Sequence, residues 1–251
     1  MSIVDQSLSP RGPSMLLQIV RELDLRPDSV ALDVGCGAGS TSFRLATHFG
    51  LQVLGVDPSQ HNLDAAREAR RDLPEEIASR VTFGRGSAIE LPVADSSVDL
   101  VWCSDRLARV RHLDSAYAEI ARVLRPGGRA VIHQVVATPL LAPFEADALF
   151  PVLGVVQSSL DPAVTDAAVA ASGLVVDASL DIGSEWGEHA EEESGSAGRA
   201  LLRASRLQRA PEHYRSAMGE AAYDQVLGDS LWQVYLMLAK LSGRILVLSR
   251  R

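Results

Sequence analysis

An acidic residue followed by a run of glycines is the stretch of the sequence best suited to hold a ligand. Between Asp33 and Gly39, Gly35 and Gly37 complete a G-x-G-x-G spacing. The short apolar segment before the run predicts a buried parallel strand, and the residues after it predict the first turns of a helix. Glycines let a ligand approach the backbone, and the free N–H groups of a helix N-terminus attract anionic groups. The Asp33 carboxylate, at the exit of the strand, can accept hydrogen bonds from an ammonium group.

More than one class of ligand binds at a glycine turn between a strand and a helix, and dinucleotides are one of them. Dinucleotides are held by the spacing G-x-G-x-x-G. Here Ser40 occupies the position of the third dinucleotide glycine, and an acid precedes the turn. This pattern disfavours a nicotinamide-dependent oxidoreductase. Because glycines are common in all turns, the choice of ligand depends on the motifs that follow.

A second acidic residue closes the next predicted strand. Residues 52–57 are mainly apolar and end in Asp57, eighteen residues after Gly39. A carboxylate in this position can accept hydrogen bonds from both hydroxyl groups of a ribose. The sequence therefore predicts that Asp57 binds the sugar of a nucleoside-containing ligand.

Two further motifs follow in order along the chain. Residues 90–101 are ELPVADSSVDLV, and residues 119–128 are EIARVLRPGG. Together with the glycine turn, they resemble the signature of the small-molecule branch of class I S-adenosylmethionine (SAM)-dependent methyltransferases, which contains ubiquinone, menaquinone, sugar and sterol methylases. The resemblance covers residues 29–136 and indicates the fold and the cofactor, but not the substrate.

The resemblance implies an α/β fold with a doubly wound, Rossmann-like sheet of seven strands. The seventh strand would be antiparallel and lie between the fifth and the sixth, with a helical lid inserted between the sixth and seventh strands. The alternation of predicted strands and helices agrees with such a sheet, whose ligands bind at the carboxyl ends of the strands. We expect a single domain over residues 1–251, with a SAM-binding core over 14–136 and lid segments over 139–160 and 186–240.

The two lid segments are expected to enclose the substrate. Both are rich in Leu, Val and Ala, and breaks at Pro211 and Gly228 are expected within the second one. A mostly apolar acceptor pocket is therefore predicted, closed by the lid so that water is excluded from the sulfonium. The aromatic residues considered for it are Phe144, Phe150, Trp186 and Trp232.

By resemblance, the residues that bind the cofactor lie at the ends of the first four strands. They are Asp33, Gly35, Gly37, Gly39, Asp57, Pro58, Ser87, Ala88 and Cys103. The family usually shows Gly-Asp-Ala after the third strand, whereas this chain has Ser87 at the position of the Asp. The Ser87 hydroxyl is shorter and uncharged, but it can still accept a hydrogen bond from the adenine amine.

A general base assists methyl transfer only when the nucleophile must lose a proton. The family often carries a His pair before the helix that leads to the PGG turn, but the aligned residues here are Ala108 and Arg109. The candidate bases are instead His133 in the fifth predicted strand, and Glu185 and His189 after the sixth. We assign no metal site.

The composition of the chain indicates which classes of partner it is expected to bind. The formal net charge of −8 disfavours nucleic acid, whose partners usually carry a basic face. Cys36 and Cys103 are expected to remain thiols, which suits a reducing compartment. No apolar run reaches membrane-spanning length, and the N-terminus has no signal-peptide pattern, so we expect a cytoplasmic protein with no membrane partner.

The leading hypothesis is a SAM-dependent methyltransferase that transfers a methyl group to O, N or C of a small, mostly apolar metabolite, for example in secondary metabolism. The alternative is a SAM-binding protein of the same fold that acts as a cyclase or a binding module without methyl transfer. Fold alone does not decide between them. The oligomeric state is not indicated by the sequence.

Overall fold

Seven strands form one mixed sheet in the computed structural model, which describes residues 10–251. Residues 1–9 of the predicted domain lie outside the described part. The strands are β1 (Val30–Val34), β2 (Gln52–Asp57), β3 (Val81–Arg85), β4 (Val98–Ser104), β5 (Leu124–Ala137), β6 (Val175–Gly183) and β7 (Leu241–Ser249). Their order across the sheet is β3-β2-β1-β4-β5-β7-β6.

Helices cover the sheet and form the insertion before its last strand. They are α1 (Met15–Glu22), α2 (Ser40–Phe49), α3 (Gln60–Arg71), α4 (Glu75–Ala78), α5 (Leu113–Val123), α6 (Pro143–Leu153), α7 (Pro162–Ser172), α8 (Glu185–Ser194), α9 (Ser196–Arg209), α10 (Pro211–Met218) and α11 (Glu220–Met237). Within the described residues, no helix is long and apolar enough to cross a membrane.

The predicted topology is confirmed. The first five strands pair in parallel, and β7 lies antiparallel between β5 and β6. Four helices, α8 to α11, are inserted between β6 and β7, as the resemblance implied for the lid. The parallel order brings the carboxyl ends of β1, β2 and β4 to one edge, so the acidic residues that follow or end these strands are neighbours.

The apolar composition of the central strands follows from burial on both faces. In β4, Val101 and Cys103 pack in the cluster that includes α5 and α7, whereas Leu100 and Trp102 pack in the cluster that includes α1 and α2. Side chains of successive strand residues point to opposite faces. This alternation decides which β4 side chains reach each face near the strand's end.

The breaks in the lid differ in part from those expected. Pro211 begins α10, as its fixed φ favours at a first helical position. Gly228 lies inside α11 and does not end a helix, which makes the expected break there wrong. A Cβ atom at Gly228 would lie 3.1 Å from Leu153 Cδ2, so this glycine lets α11 pack closely on α6. The break occurs at Gly219, whose φ is 86°.

Candidate functional site

The glycine turn is fixed to the end of β2 through its backbone. The N–H groups of Gly35 and Cys36 both donate to the carbonyl of Val56, at 2.7 and 3.0 Å. Gly35 and Gly37 have φ values of 75° and 54°, in the left-handed region that other residues rarely adopt. The sequence Gly-x-Gly is therefore required by the shape of the turn itself.

Gly39 has a different role within the same motif. It precedes α2 with φ 87°, and a Cβ atom there would lie 2.7 Å from Phe83 Cζ and 2.9 Å from Phe43 Cζ. Its lack of a side chain thus allows two aromatic rings to pack against the start of the helix. Gly39 is a packing residue at the edge of the turn.

The carboxylate of Asp57 organises the turn from the end of β2. Its Oδ2 accepts from the N–H of Gly37 at 3.0 Å, and its Oδ1 accepts from Ser59 N at 2.9 Å and from Asn62 Nδ2 at 3.0 Å. The residue is only 3% exposed. Since a carboxylate has about four acceptor positions, three protein donors leave capacity for a ligand hydroxyl.

Asp33 lies at the carboxyl end of the neighbouring strand, β1. Its side chain is buried, and Oδ2 accepts from the hydroxyl of Ser42 at 2.6 Å. Burial raises the pKa of Asp33 to about 6, against the lowering effects of the Ser42 hydrogen bond and the charge of Arg106. A cation beside this carboxyl group therefore favours its ionised form.

Arg106 lies across the glycine turn and is missing from the sequence-based site. Its Nε donates to the carbonyl of Gly35 at 2.9 Å, and a Cβ atom at Gly35 would overlap the Arg106 stem. The side chain is exposed on its other side. Its position two residues after β4 places it at the ligand edge, but nothing in the sequence indicates that it folds back onto the turn.

A first cavity, of about 420 Å³, lies on one side of Arg106. Its walls come from the turn, from the end of β2 and from the loops after β3 and β4. The predicted cofactor residues among them are Gly35, Asp57, Pro58, Ser87 and Ala88. Ile89 and His112 also line it, and the apolar walls suit a flat ring that follows a sugar held at Asp57.

A second cavity, of about 290 Å³, lies on the other side of Arg106. It is lined by Asp33, Gly37 and the first residues of α2, together with Trp102 and Ser104 of β4. The indole Nε1 of Trp102 is buried and has no hydrogen-bond partner in the part of the chain that the structure describes. The residues that line this cavity therefore include one carboxyl group and an indole whose N–H lacks a partner.

Cys103 lies away from these cavities. It is fully buried within the apolar cluster that includes α5, and burial raises the pKa of its thiol to about 12. Its neighbours Trp102 and Ser104 point to the opposite face of the strand and line the second cavity instead. Cys103 therefore supports the site from the core.

A third cavity, of about 250 Å³, lies between the sheet and the inserted helices. Ser104 and His133 contribute from β4 and β5, Trp186 from α8 and Trp232 from α11. The His133 ring lies 4.2 Å from the Trp186 ring, centroid to centroid, and its Nδ1 lies 3.3 Å from the Ser104 hydroxyl. Burial lowers the pKa of His133 to about 4, so the imidazole is neutral at pH 7.

Asp105 lines the same cavity and is also missing from the sequence-based site. Its backbone has φ 55°, and its N–H donates to the carbonyl of His133 at 2.8 Å. Its Oδ1 is buried without a hydrogen-bond partner among residues 10–251. Burial raises its pKa to about 6, against the charges of Arg109 and Arg106. In the sequence, Asp105 is marked only by its position directly after β4, because it is not part of a motif with defined spacing.

The structure does not bring Glu185 and His189 to His133. Glu185 is held by Arg11, whose Nε donates to Oε2 at 2.7 Å, and this pairing lowers the pKa of Glu185. His189 packs against Gly12. Both residues of α8 therefore contact the segment before α1. Phe144 is likewise outside the pocket, since 74% of its surface is exposed.

The amino-acid sequence is similar to known proteins over about half of the chain. Residues 32–132 match a family model described as a methyltransferase domain. Methyltransferase GfsG of Streptomyces halstedii is 37% identical over 129 residues, which cover 51% of this chain and 46% of the relative. The 27-O-demethylrifamycin SV methyltransferase of Amycolatopsis mediterranei is 36% identical over 126 residues, which cover 50% and 46%. Over this region the chain is therefore similar to class I SAM-dependent methyltransferases. The matched region is about half the length of these curated relatives.

The similarity in structure to solved proteins covers nearly the whole chain. The crystal structure of the [4+2]-cyclase SpnF superposes with a TM-score of 0.71, covering 94% of this chain and 79% of that chain at 22% identity. At this identity the likeness shows the fold alone. It includes the part of the chain outside the family match, where the inserted helices lie.

The residues of this site fit SAM, the cofactor of that class of methyltransferases. The glycine turn is a cradle that side chains would fill, and Asp57 retains capacity for a sugar hydroxyl. The residues that line the second cavity include an acidic group and an unpaired donor, which match the ammonium and carboxylate of an amino acid. Arg106 separates the two cavities, so its side chain must shift for one ligand to extend through both.

Proposed function

We propose that this protein is a SAM-dependent methyltransferase that methylates O, N or C of a small, mostly apolar metabolite. The observation that carries the proposal is that the three cavities lie next to one another and share lining residues. The first and second share Gly35 and Arg106, and the second and third share Ser104. A cofactor lying along the first two, with its sulfonium between the sugar and the amino-acid part, would therefore lie beside the third.

The cofactor roles follow the chemistry of each cavity. In this proposal Asp57 binds the ribose, while Pro58, Ser87 and Ala88 surround the adenine. Gly35 and Gly37 allow the backbone to approach the cofactor. Asp33 faces the ammonium group, and Trp102 Nε1 donates to the carboxylate, which relieves its buried unpaired N–H. Bound SAM supplies a methyl group already activated by its sulfonium, so these residues bind and orient it.

The third cavity holds the acceptor in this proposal. Val135, Ile182, Trp232 and Leu236 give it apolar walls, and few polar groups reach it. The inserted helices exclude water and align the acceptor with the methyl group. The Amycolatopsis relative is named for methyl transfer to 27-O-demethylrifamycin SV, which supports an acceptor from secondary metabolism. We expect this chemistry to take place in the cytoplasm.

Methyl transfer can be tested with SAM carrying a tritiated methyl group. The purified protein would be incubated with a panel of small apolar acceptors that present hydroxyl, amine or activated carbon groups. Transfer of tritium into an organic-soluble product, dependent on the protein, supports the proposal. A protein that binds S-adenosylhomocysteine but labels no acceptor contradicts methyl transfer.

The second candidate is a SAM-binding protein that catalyses a cyclisation or only binds its ligand. It is favoured by Ala108 and Arg109, which replace the His pair of the family. Cofactor binding without methyl transfer is the result expected from this candidate. The labelled-methyl experiment therefore distinguishes the two.

A further inference from the structure

Two residues that line the third cavity carry buried polar atoms of opposite character. Asp105 Oδ1 is an acceptor and Trp186 Nε1 is a donor, and both are buried with no hydrogen-bond partner in the described part of the chain. Leaving such groups unpaired costs free energy, and native proteins seldom do so without a functional reason. A ligand group that both donates and accepts would satisfy both atoms once the two side chains turn toward the cavity.

A hydroxyl group fits this pair and retains a lone pair for reaction. Its O–H donates to the carboxylate, and one oxygen lone pair accepts from the indole N–H. The other lone pair remains available to attack a methyl carbon. A neutral amine has one lone pair, which a hydrogen bond from the indole would occupy. An apolar carbon nucleophile would leave the indole N–H unpaired.

We propose that the acceptor group is a hydroxyl, that Trp186 holds its oxygen and that Asp105 takes its proton. This inference rests on the proposed function. The hydroxyl oxygen bonds to the methyl carbon of SAM while the methyl–sulfur bond breaks, and that electron pair goes to sulfur. The proton passes to the Asp105 carboxylate. The products are a methyl ether and neutral S-adenosylhomocysteine, so atoms and charges balance.

The charges around Asp105 agree with a proton acceptor at neutral pH. Arg106 and Arg109 favour its ionised form, while burial opposes it and holds the pKa near 6. His133, from β5, is neutral at this pH. The carboxylate is therefore ionised above pH 6 and is still basic enough to accept a proton. His133 stacks against Trp186 and positions the indole.

The inference is tested with 2-naphthol and naphthalene, which differ by one hydroxyl group. Each is titrated calorimetrically into the protein saturated with S-adenosylhomocysteine. The parent should bind 2-naphthol at least about tenfold more tightly than naphthalene, as expected for one hydrogen bond to a charged group. Asp105→Asn and Trp186→Phe should each reduce this ratio to about threefold or less.

The variants are chosen to preserve the cavity. Asparagine tolerates the positive φ at Asp105, and phenylalanine keeps a ring against His133. Trp232→Phe is the matched control, because it makes the same indole-to-phenyl change in an apolar wall of the cavity outside the proposed pair; it can weaken the binding of both ligands together. It should keep the parent's ratio. The binding of S-adenosylhomocysteine should stay within about threefold in all three variants.

The outcomes separate the two proposals. Equal affinities for 2-naphthol and naphthalene in the parent, or no binding of 2-naphthol, would overturn the hydroxyl assignment while leaving SAM binding intact. A ratio that falls equally in the Trp232→Phe control would also overturn it, because the effect would then be one of general packing. Failure to bind S-adenosylhomocysteine would instead contradict the proposed function.

Discussion

Three aspartates at the carboxyl ends of neighbouring strands differ in their hydrogen-bond partners. Asp57 is engaged by three protein donors and holds the glycine turn, whereas Asp33 has one hydroxyl donor. Asp105 has a buried oxygen with no partner in residues 10–251. The first two could be predicted because they stand at fixed distances from the glycines. The position of Asp105 directly after the fourth strand indicates the ligand edge of the sheet, but its burial without a partner is visible only in the folded chain.

Asp57→Ala should weaken both the fold and cofactor binding. The buried N–H of Gly37 loses its acceptor, which costs about 1–3 kcal/mol, and the turn that cradles the cofactor loosens. Urea unfolding and calorimetric titration with S-adenosylhomocysteine measure the two effects. Asp64→Ala, an exposed acid on α3, is the control and should change neither. Unchanged cofactor affinity in Asp57→Ala would contradict the ribose assignment.

Arg106→Ala should tighten the binding of S-adenosylhomocysteine by about fivefold. The parent must break the hydrogen bond from Arg106 to Gly35 before the cofactor enters, and one such bond contributes about 1 kcal/mol. Arg106→Met keeps the aliphatic stem but loses the guanidinium. Its affinity for S-adenosylhomocysteine, measured by titration calorimetry, should lie between those of the parent and the alanine variant. Weaker binding by the alanine variant would show that Arg106 holds the cofactor and does not obstruct it.

The buried carboxyl group of Asp105 should make stability depend on pH. Its folded pKa is raised to about 6, so its contribution to stability is full below its ordinary pKa and is lost as pH rises through 6. Asp105→Asn cannot ionise, so its free energy of unfolding relative to the parent should rise by about 1–3 kcal/mol between pH 4 and 7. The opposing titration of His133 occurs in both proteins and cancels in the difference.

Denaturant unfolding of parent and variant across this pH range measures the difference. A relative stability that stays constant from pH 4 to pH 7 would contradict a buried, ionisable Asp105. The same carboxyl group is the proposed proton acceptor. The measurement thus tests its environment independently of any acceptor molecule.

Among the helices and strands, the alternating core was more predictable than the inserted lid. The apolar run that ends in Asp57 predicted a strand over residues 52–57, which are the observed bounds of β2. The four inserted helices have weaker local signals, and Gly228 shows why. Its sequence context indicates a break, but its packing against Leu153 decides that α11 continues. Such contacts between distant segments are not encoded in local periodicity.

The two lid segments should differ in their effect on acceptor chemistry. Trp186→Ala on α8 should lower methyl transfer at least about tenfold, because it removes a wall of the third cavity and the ring against His133. Phe144→Ala on α6 should leave transfer unchanged, since that side chain is largely exposed. Both should bind S-adenosylhomocysteine like the parent. The opposite order of effects in a labelled-methyl assay would place the acceptor against α6.

For the molecule as a whole, the topology explains why a site exists at this edge. The parallel strands deliver Asp33, Asp57 and Ser104 to one side, and the antiparallel pair of β6 and β7 places the inserted helices beside them. The sheet order was predictable from the resemblance because each motif falls at a strand end. Trp186 and Trp232 of the third cavity were among the predicted aromatic residues, but their meeting with side chains of β4 and β5 was not predictable from local sequence.

The most direct test of cofactor binding at the glycine turn is a calorimetric titration of the parent and of Gly37→Ala with S-adenosylhomocysteine. The parent should bind one molecule per chain. The variant should bind at least about tenfold more weakly, because Gly37 has φ 54° and its added Cβ would lie 3.1 Å from Arg106 Nη2, in the cradle itself. Thermal unfolding checks that the variant is folded. No binding by the parent, or equal affinity in a folded Gly37→Ala variant, would contradict the account.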